Sequence, residues 1–108
     1  HSISAGLDYA GIGPQIAYLK ESGRVKFSYA KDKEVLEAYQ LLAETEGIFA
    51  AMESSHAVCE VLKLAPTLNK DQTVVFNCSG RGDKDLFIVT KEFNDDTFNE
   101  FLSDQIES

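Results

Sequence analysis

The chain has 108 residues, of which 44% are hydrophobic and 26% charged, the make-up of an ordinary globular protein with room for one domain at most. Its 10 Lys and Arg stand against 18 Asp and Glu, a formal net charge of −8, so phosphate-rich nucleic acid and anionic membranes are excluded as main partners. No apolar run nears the roughly 18 residues of a membrane span, and the start lacks both the basic residues and the long apolar stretch of a signal peptide.

Residues 1–14 are rich in small residues, with Gly6, Gly11, Gly13 and Pro14 as breakers, and read as a structured loop. A short helix is expected over 14–22, with Pro14 in its first turn and Gly23 just past its end. Arg24 to Tyr29 alternates, with Val25, Phe27 and Tyr29 on one side, which is strand spacing. Residues 32–46 read as a helix capped by Asp32 and ended by Gly47, with Val35, Ala38, Tyr39 and Leu42 as its buried stripe. A second long helix follows from about Glu53 to Leu64 and stops at Pro66. Thr73 to Cys78 is apolar on both faces and reads as a buried strand. Ser79 to Asp85 is a loop, and Leu86 to Val89 is a short apolar segment of open type. Asp95 or Asp96 caps a last helix with Phe98, Phe101, Leu102 and Ile106 on one face.

Strands alternating with helices imply an α/β chain, a partial three-layer fold with a small, mainly parallel sheet flanked by helices. So small a parallel sheet is rarely stable alone, which hints that further strands are missing. The absence of an initiating Met suggests the same, a piece of a longer chain. Cys59 and Cys78 read as small core residues of a reduced, cytoplasmic protein.

The strongest chemical signal is the run from Thr73 to Asp85, a strand passing straight into Ser79, Gly80 and Gly82. In open parallel sheets ligands bind beyond the carboxyl ends of strands. Glycines there let backbone approach a ligand or take positive φ, and Ser79 is the first hydroxyl past the strand. The plainer alternative is a strand-ending turn. Neither this loop nor the glycines of 6–14 fit a P-loop or a dinucleotide pattern, and Arg81-Gly82-Asp83 is too short a match to mean cell adhesion. Asp8 is either a buried carboxylate near a ligand or a turn former. Glu53 is a candidate helix cap, and with His56 alone it makes a weak metal site. The other Asp and Glu of 32–46 and 92–107 read as solvated helix faces.

In order and spacing, His1-Ser-Ile-Ser-Ala-Gly-Leu-Asp-Tyr9, Gly13-Pro14, Ala17-Tyr-Leu19, Gly23-Arg24, Glu46-Gly-Ile48, Glu53-Ser-Ser-His-Ala57 and Ser79-Gly-Arg-Gly-Asp-Lys-Asp85 closely resemble the tryptophan synthase beta chain family. The likeness runs to about Val89, and the first and last strings are the specific ones. It implies that residues 1–108 are the C-terminal portion of a pyridoxal 5'-phosphate (PLP) dependent catalytic domain, an incomplete domain. The intact chain is then expected to join L-serine and indole into L-tryptophan and water, in the cytoplasm, with an alpha chain and a second beta chain as partners. By the same resemblance Ser79, with Gly80 beside it, looks like the hydroxyl that bonds the pyridine nitrogen. Glu53 looks like the carboxylate beside the ring, and Gly6 like a backbone contact to the cofactor. Asp8 looks like the acid that engages partners on closure. Tyr9 and Gly11 look like carbonyl ligands of a monovalent cation, Na+ or K+.

Chemistry suits the serine. The partner of the pyridine nitrogen tunes the cofactor's pull on electrons. A neutral hydroxyl does not force that nitrogen to be protonated, which favours replacing a β-substituent over transamination.

The sequence departs from the family where Ala10 and Ala50 stand for Pro, Ile16 for His, and Lys31 for a good helix cap. The family's Schiff-base lysine, phosphate cup and substrate-carboxylate loop belong to segments upstream. No lysine here follows a His as that lysine does, so the chain alone is expected to be inactive and to hold PLP poorly. Two alternatives stand beside this reading: a related PLP-dependent β-eliminating or deaminating enzyme, and a stand-alone non-catalytic ligand-binding module.

Overall fold

The computed structural model describes residues 3–4, 13–93 and 96–107. Among them the chain is built from five α-helices: α1 (Pro14–Glu21), α2 (Asp32–Glu46), α3 (Met52–Leu64), α4 (Leu86–Phe93) and α5 (Asp96–Glu107). Short 3₁₀ turns at Ala65–Thr67 and Asp83–Asp85 extend α3 and lead into α4.

Local signals set most of these boundaries. Pro14 opens α1, because its missing N–H is one the first turn would leave unbonded anyway. Gly23 turns the chain at φ +74° after that helix. The cap of α2 lies one residue before the expected Asp32. Lys31 takes the cap position in extended backbone, Asp32 is already helical, and the Glu34 carboxylate accepts the Lys31 N–H at 2.9 Å. That bond, with Lys63 at 3.2 Å, holds the Glu34 carboxyl below its ordinary pKa.

At the other end of α2, Gly47 takes φ +66° and its N–H returns to the Ala43 carbonyl. A side chain there meets open space but is strained in this backbone. Gly47→Ala should therefore lower stability by about 1–2 kcal/mol, read as a fall in the urea midpoint.

The core is one helix pair with a third helix at its edge. Ala38 and Leu42 of α2 pack with Ala50, Val58 and Cys59, while Val35 and Tyr39 pack with Met52 and with Val89 of α4. The four stripe residues expected on α2 are all buried. Burial also raises the Cys59 thiol pKa. Phe49 stacks at a tilt on Tyr39, with ring centres 6.5 Å apart.

The expected sheet is not formed. No strand occurs among the described residues, and both segments read as strands, Arg24–Tyr29 and Thr73–Cys78, lack regular structure. Strand propensity expresses packing on a pleated, half-buried surface, and a strand needs a neighbour to take up its backbone hydrogen bonds. Neither segment has such a neighbour. Tyr29 and Val75 are more than four-fifths exposed, and Phe27 is covered on one side by the Lys20 ammonium, 5.2 Å from its ring centre. Both segments instead line an open trough of about 500 Å³ on α3, with His56, Glu60 and Val61 along it. Cys78, expected in the core, is exposed for the same reason, and Ile106 of α5 is exposed too. The apolar segment at Leu86–Val89, left open above, is the first half of α4.

Candidate functional site

The loop at 79–85 is laced onto residues 49–54 by contacts at several levels. Gly82 donates its N–H to the Phe49 carbonyl at 2.9 Å. The buried Ser54 hydroxyl donates to the Ser79 carbonyl at 2.5 Å. Asp85 is 2% exposed, and its Oδ2 accepts the N–H of Met52, the first residue of α3, at 3.0 Å. Finally, the Lys84 ammonium bridges Glu53 Oε2 at 2.9 Å and both Asp85 oxygens at 3.0 Å.

Glycine geometry makes this close approach possible. Gly82 is buried, and a Cβ built on it would collide with the Ala50 carbonyl oxygen. Gly80 takes φ +69°, where a side chain is strained, and its Cβ position lies 3.4 Å from that of Ala51. Gly80 takes the positive φ expected of these glycines, while the close approach at Gly82 is to the chain's own backbone.

Glu53 is not the cap of α3. Ala51 holds the cap position without a side-chain bond, and the capping carboxylate comes from Asp85 in the loop. Glu53 is the second residue of the helix, about a quarter exposed and ion-paired to Lys84. Lys84 titrates above an ordinary lysine, first because of its bond to Glu53 and then because of Asp85, with partial burial opposing both. Ser79 is exposed. Its backbone adjoins Ser54, the residue after Glu53, so the structure brings the two stretches together.

His56 does not join Glu53 in a metal site. Its Nδ1 donates to the Met52 carbonyl at 2.9 Å, and no group of three potential metal ligands occurs among the described residues. Gly6, Asp8, Tyr9 and Gly11 lie outside the described residues. Arg81 pairs with Asp83 at 3.1 Å on the surface.

Sequence reasoning missed Ser54, Lys84 and Asp85. The available signal was Asp85 itself, a carboxylate directly before the apolar run that becomes α4.

No family model matches the chain. It is 54% identical over 106 residues, 98% of its length, to the tryptophan synthase beta chain of Helicobacter hepaticus. It is 57% identical over 91 residues, 84% of its length, to that of Allorhizobium ampelinum. The chain belongs to the tryptophan synthase beta chain family.

It spans 25% and 22% of the length of these two beta chains. No helix among the described residues is long and apolar enough to cross a membrane. The laced loop and helix start are two of the segments that carry the family likeness, Glu53-Ser-Ser-His-Ala57 and Ser79-Gly-Arg-Gly-Asp-Lys-Asp85. The residues present suit the ring of PLP. An exposed hydroxyl-bearing residue and a partly exposed carboxylate stand on adjoining backbone. A protein tunes such a cofactor through hydrogen bonds to its ring nitrogen and charge near the ring, and groups able to supply both are here.

Proposed function

We propose that this chain is part of a tryptophan synthase beta chain whose intact form joins L-serine and indole into L-tryptophan and water with the help of PLP. The observation that carries this reading is the lacing of the Ser79 loop to the first turn of α3, which holds Ser79 and Glu53 on adjoining backbone. Residues 1–108 would be an incomplete domain of a cytoplasmic enzyme, with an alpha chain and a second beta chain as partners.

Ser79 would hold the pyridine nitrogen through its hydroxyl, with Gly80 beside it setting the turn of the loop. When bound, PLP supplies an electron sink for charge developing on the amino acid. Glu53 would stand beside the ring and exchange a proton with the bound amino acid or cofactor. Gly6 would contribute a backbone contact, and Asp8 would act on closure around the substrate. Tyr9 and Gly11 would lend carbonyls to a monovalent cation.

The deciding experiment supplies the intact parent chain with PLP, L-serine and indole and measures tryptophan. Saturable tryptophan formation is expected. Release of pyruvate and ammonia without tryptophan would replace this reading with that of a β-eliminating enzyme.

A narrower test is Ser79→Ala in the same chain. One neutral hydrogen bond is worth about 1 kcal/mol, so PLP should dissociate with a constant about fivefold larger. Equilibrium dialysis against PLP reads this directly, and an unchanged constant would move the pyridine nitrogen away from Ser79.

A further inference from the structure

We propose that Lys84 and Asp85 form a clasp that fixes the Glu53 carboxylate, so that Lys84 is a positioning residue for the site. This rests on the reading that Glu53 faces the bound cofactor.

Three observations combine. Asp85 is nearly fully buried and cannot wander, because its Oδ2 also caps α3 through the Met52 N–H. Both of its oxygens then hold the Lys84 ammonium at 3.0 Å. That ammonium in turn meets Glu53 Oε2 at 2.9 Å.

Position thus passes from a buried anchor, through a cation, to a carboxylate at the protein surface. A free Lys–Glu pair at this exposure would sample many rotamers and contribute little. Anchoring the ammonium on a buried carboxylate removes much of that freedom in advance, which makes the third group cheaper to hold.

Charge points the same way. The Asp85 carboxylate reaches the start of α3 and Glu53 lies in its first turn, where the helix's partial positive end favours anions. Two carboxylates side by side repel each other, and Lys84 between them offsets this. Placing the acid through a neighbour's cation also makes its position sensitive to that neighbour's shape. An arginine can rebuild a two-pronged bridge to both carboxylates, whereas methionine keeps the stem and loses the charge.

The test uses the intact parent chain loaded with PLP. Lys84→Met, Lys84→Arg, Glu53→Gln and the double variant Lys84→Met with Glu53→Gln are compared. The readouts are kcat and KM separately, the pH dependence of the bound cofactor's visible absorption, and the thermal midpoint.

A displaced acid should cost Lys84→Met about tenfold in kcat, with KM little changed. Its absorption should titrate at a different pH from wild type, and Lys84→Arg should recover most of both effects. The double variant should be no worse than Glu53→Gln alone, because a clasp with nothing to hold has no further effect.

If Glu53→Gln alters kcat and the spectrum while Lys84→Met alters neither, the clasp is wrong and the role of Glu53 stands. If Glu53→Gln changes nothing, both readings fall. Should Lys84→Met lower the thermal midpoint so far that kinetics cannot be read, Lys84→Arg decides: a wild-type midpoint and spectrum support the clasp. A wild-type midpoint with the spectrum of Glu53→Gln overturns it.

Discussion

Replacing Gly82 with Ala should destabilise the protein by about 2–4 kcal/mol and detach the 79–85 loop from the start of α3. The backbone of Gly82, at φ −89° and ψ −8°, is one that any residue can adopt, so conformational strain is not the cause. Space is the cause. A Cβ there would overlap the Ala50 carbonyl oxygen and stand 3.0 Å from that of Phe49. Both obstacles are backbone, which cannot swing aside as a flexible side chain would. Forcing an extra carbon into a packed site costs about 1–3 kcal/mol. Pushing the strands of chain apart also breaks the Gly82 bond to Phe49, worth about 1 kcal/mol more. Amide exchange at Met52 should quicken with it, because its N–H is sheltered by Asp85 from the same loop. A variant within 0.5 kcal/mol of wild type, with Met52 still protected, would contradict this geometry.

Which parts of the molecule were legible in advance follows from where their determinants lie. The stripe and the far end of α2 are carried by neighbouring residues, so Val35, Ala38, Tyr39, Leu42 and Gly47 were all placed correctly. The start of α3 was misassigned to Glu53 because its cap is Asp85, 33 residues further on. Thr73–Cys78 has the side chains of a buried strand, yet nothing pairs with it, and Val75 is 88% exposed. Propensity reported what that segment can pack against and could not report whether the surface is there.

The candidate site divides in the same way. Gly80 and Gly82 could be singled out because glycine marks special backbone wherever it occurs in a loop. Lys84 and Asp85 look like two more charges on an acidic chain. Only the fold separates a carboxylate 2% exposed from a solvated one.

The 108-residue chain by itself should make no tryptophan from L-serine and indole, and PLP should leave its thermal midpoint unchanged. On the proposed reading the laced loop would offer the ring a hydroxyl and a nearby carboxylate, orienting contacts worth about 1 kcal/mol each. The anchoring groups of the family, a lysine that bonds the cofactor covalently and a cup for its phosphate, have no counterpart among the motifs of this sequence.

The surface argues likewise. Tyr29, Phe49, Val75 and Phe87 are each about two-thirds or more exposed, and the radius of gyration is 16.8 Å against about 13 Å for a compact chain of this length. Apolar surface this open, on so extended a chain, gives a small ring little to be enclosed by.

The magnitude makes the test sharp. A ligand at 100 times its dissociation constant adds about 2.7 kcal/mol, which moves the midpoint of so small a protein by roughly 10 °C or more. A saturable rise of that size with an unchanged circular dichroism spectrum would mean that Ser79, Gly80 and Glu53 suffice to hold the cofactor. No rise with these residues alone, against binding by the intact parent chain of the proposed reading, is the expected result.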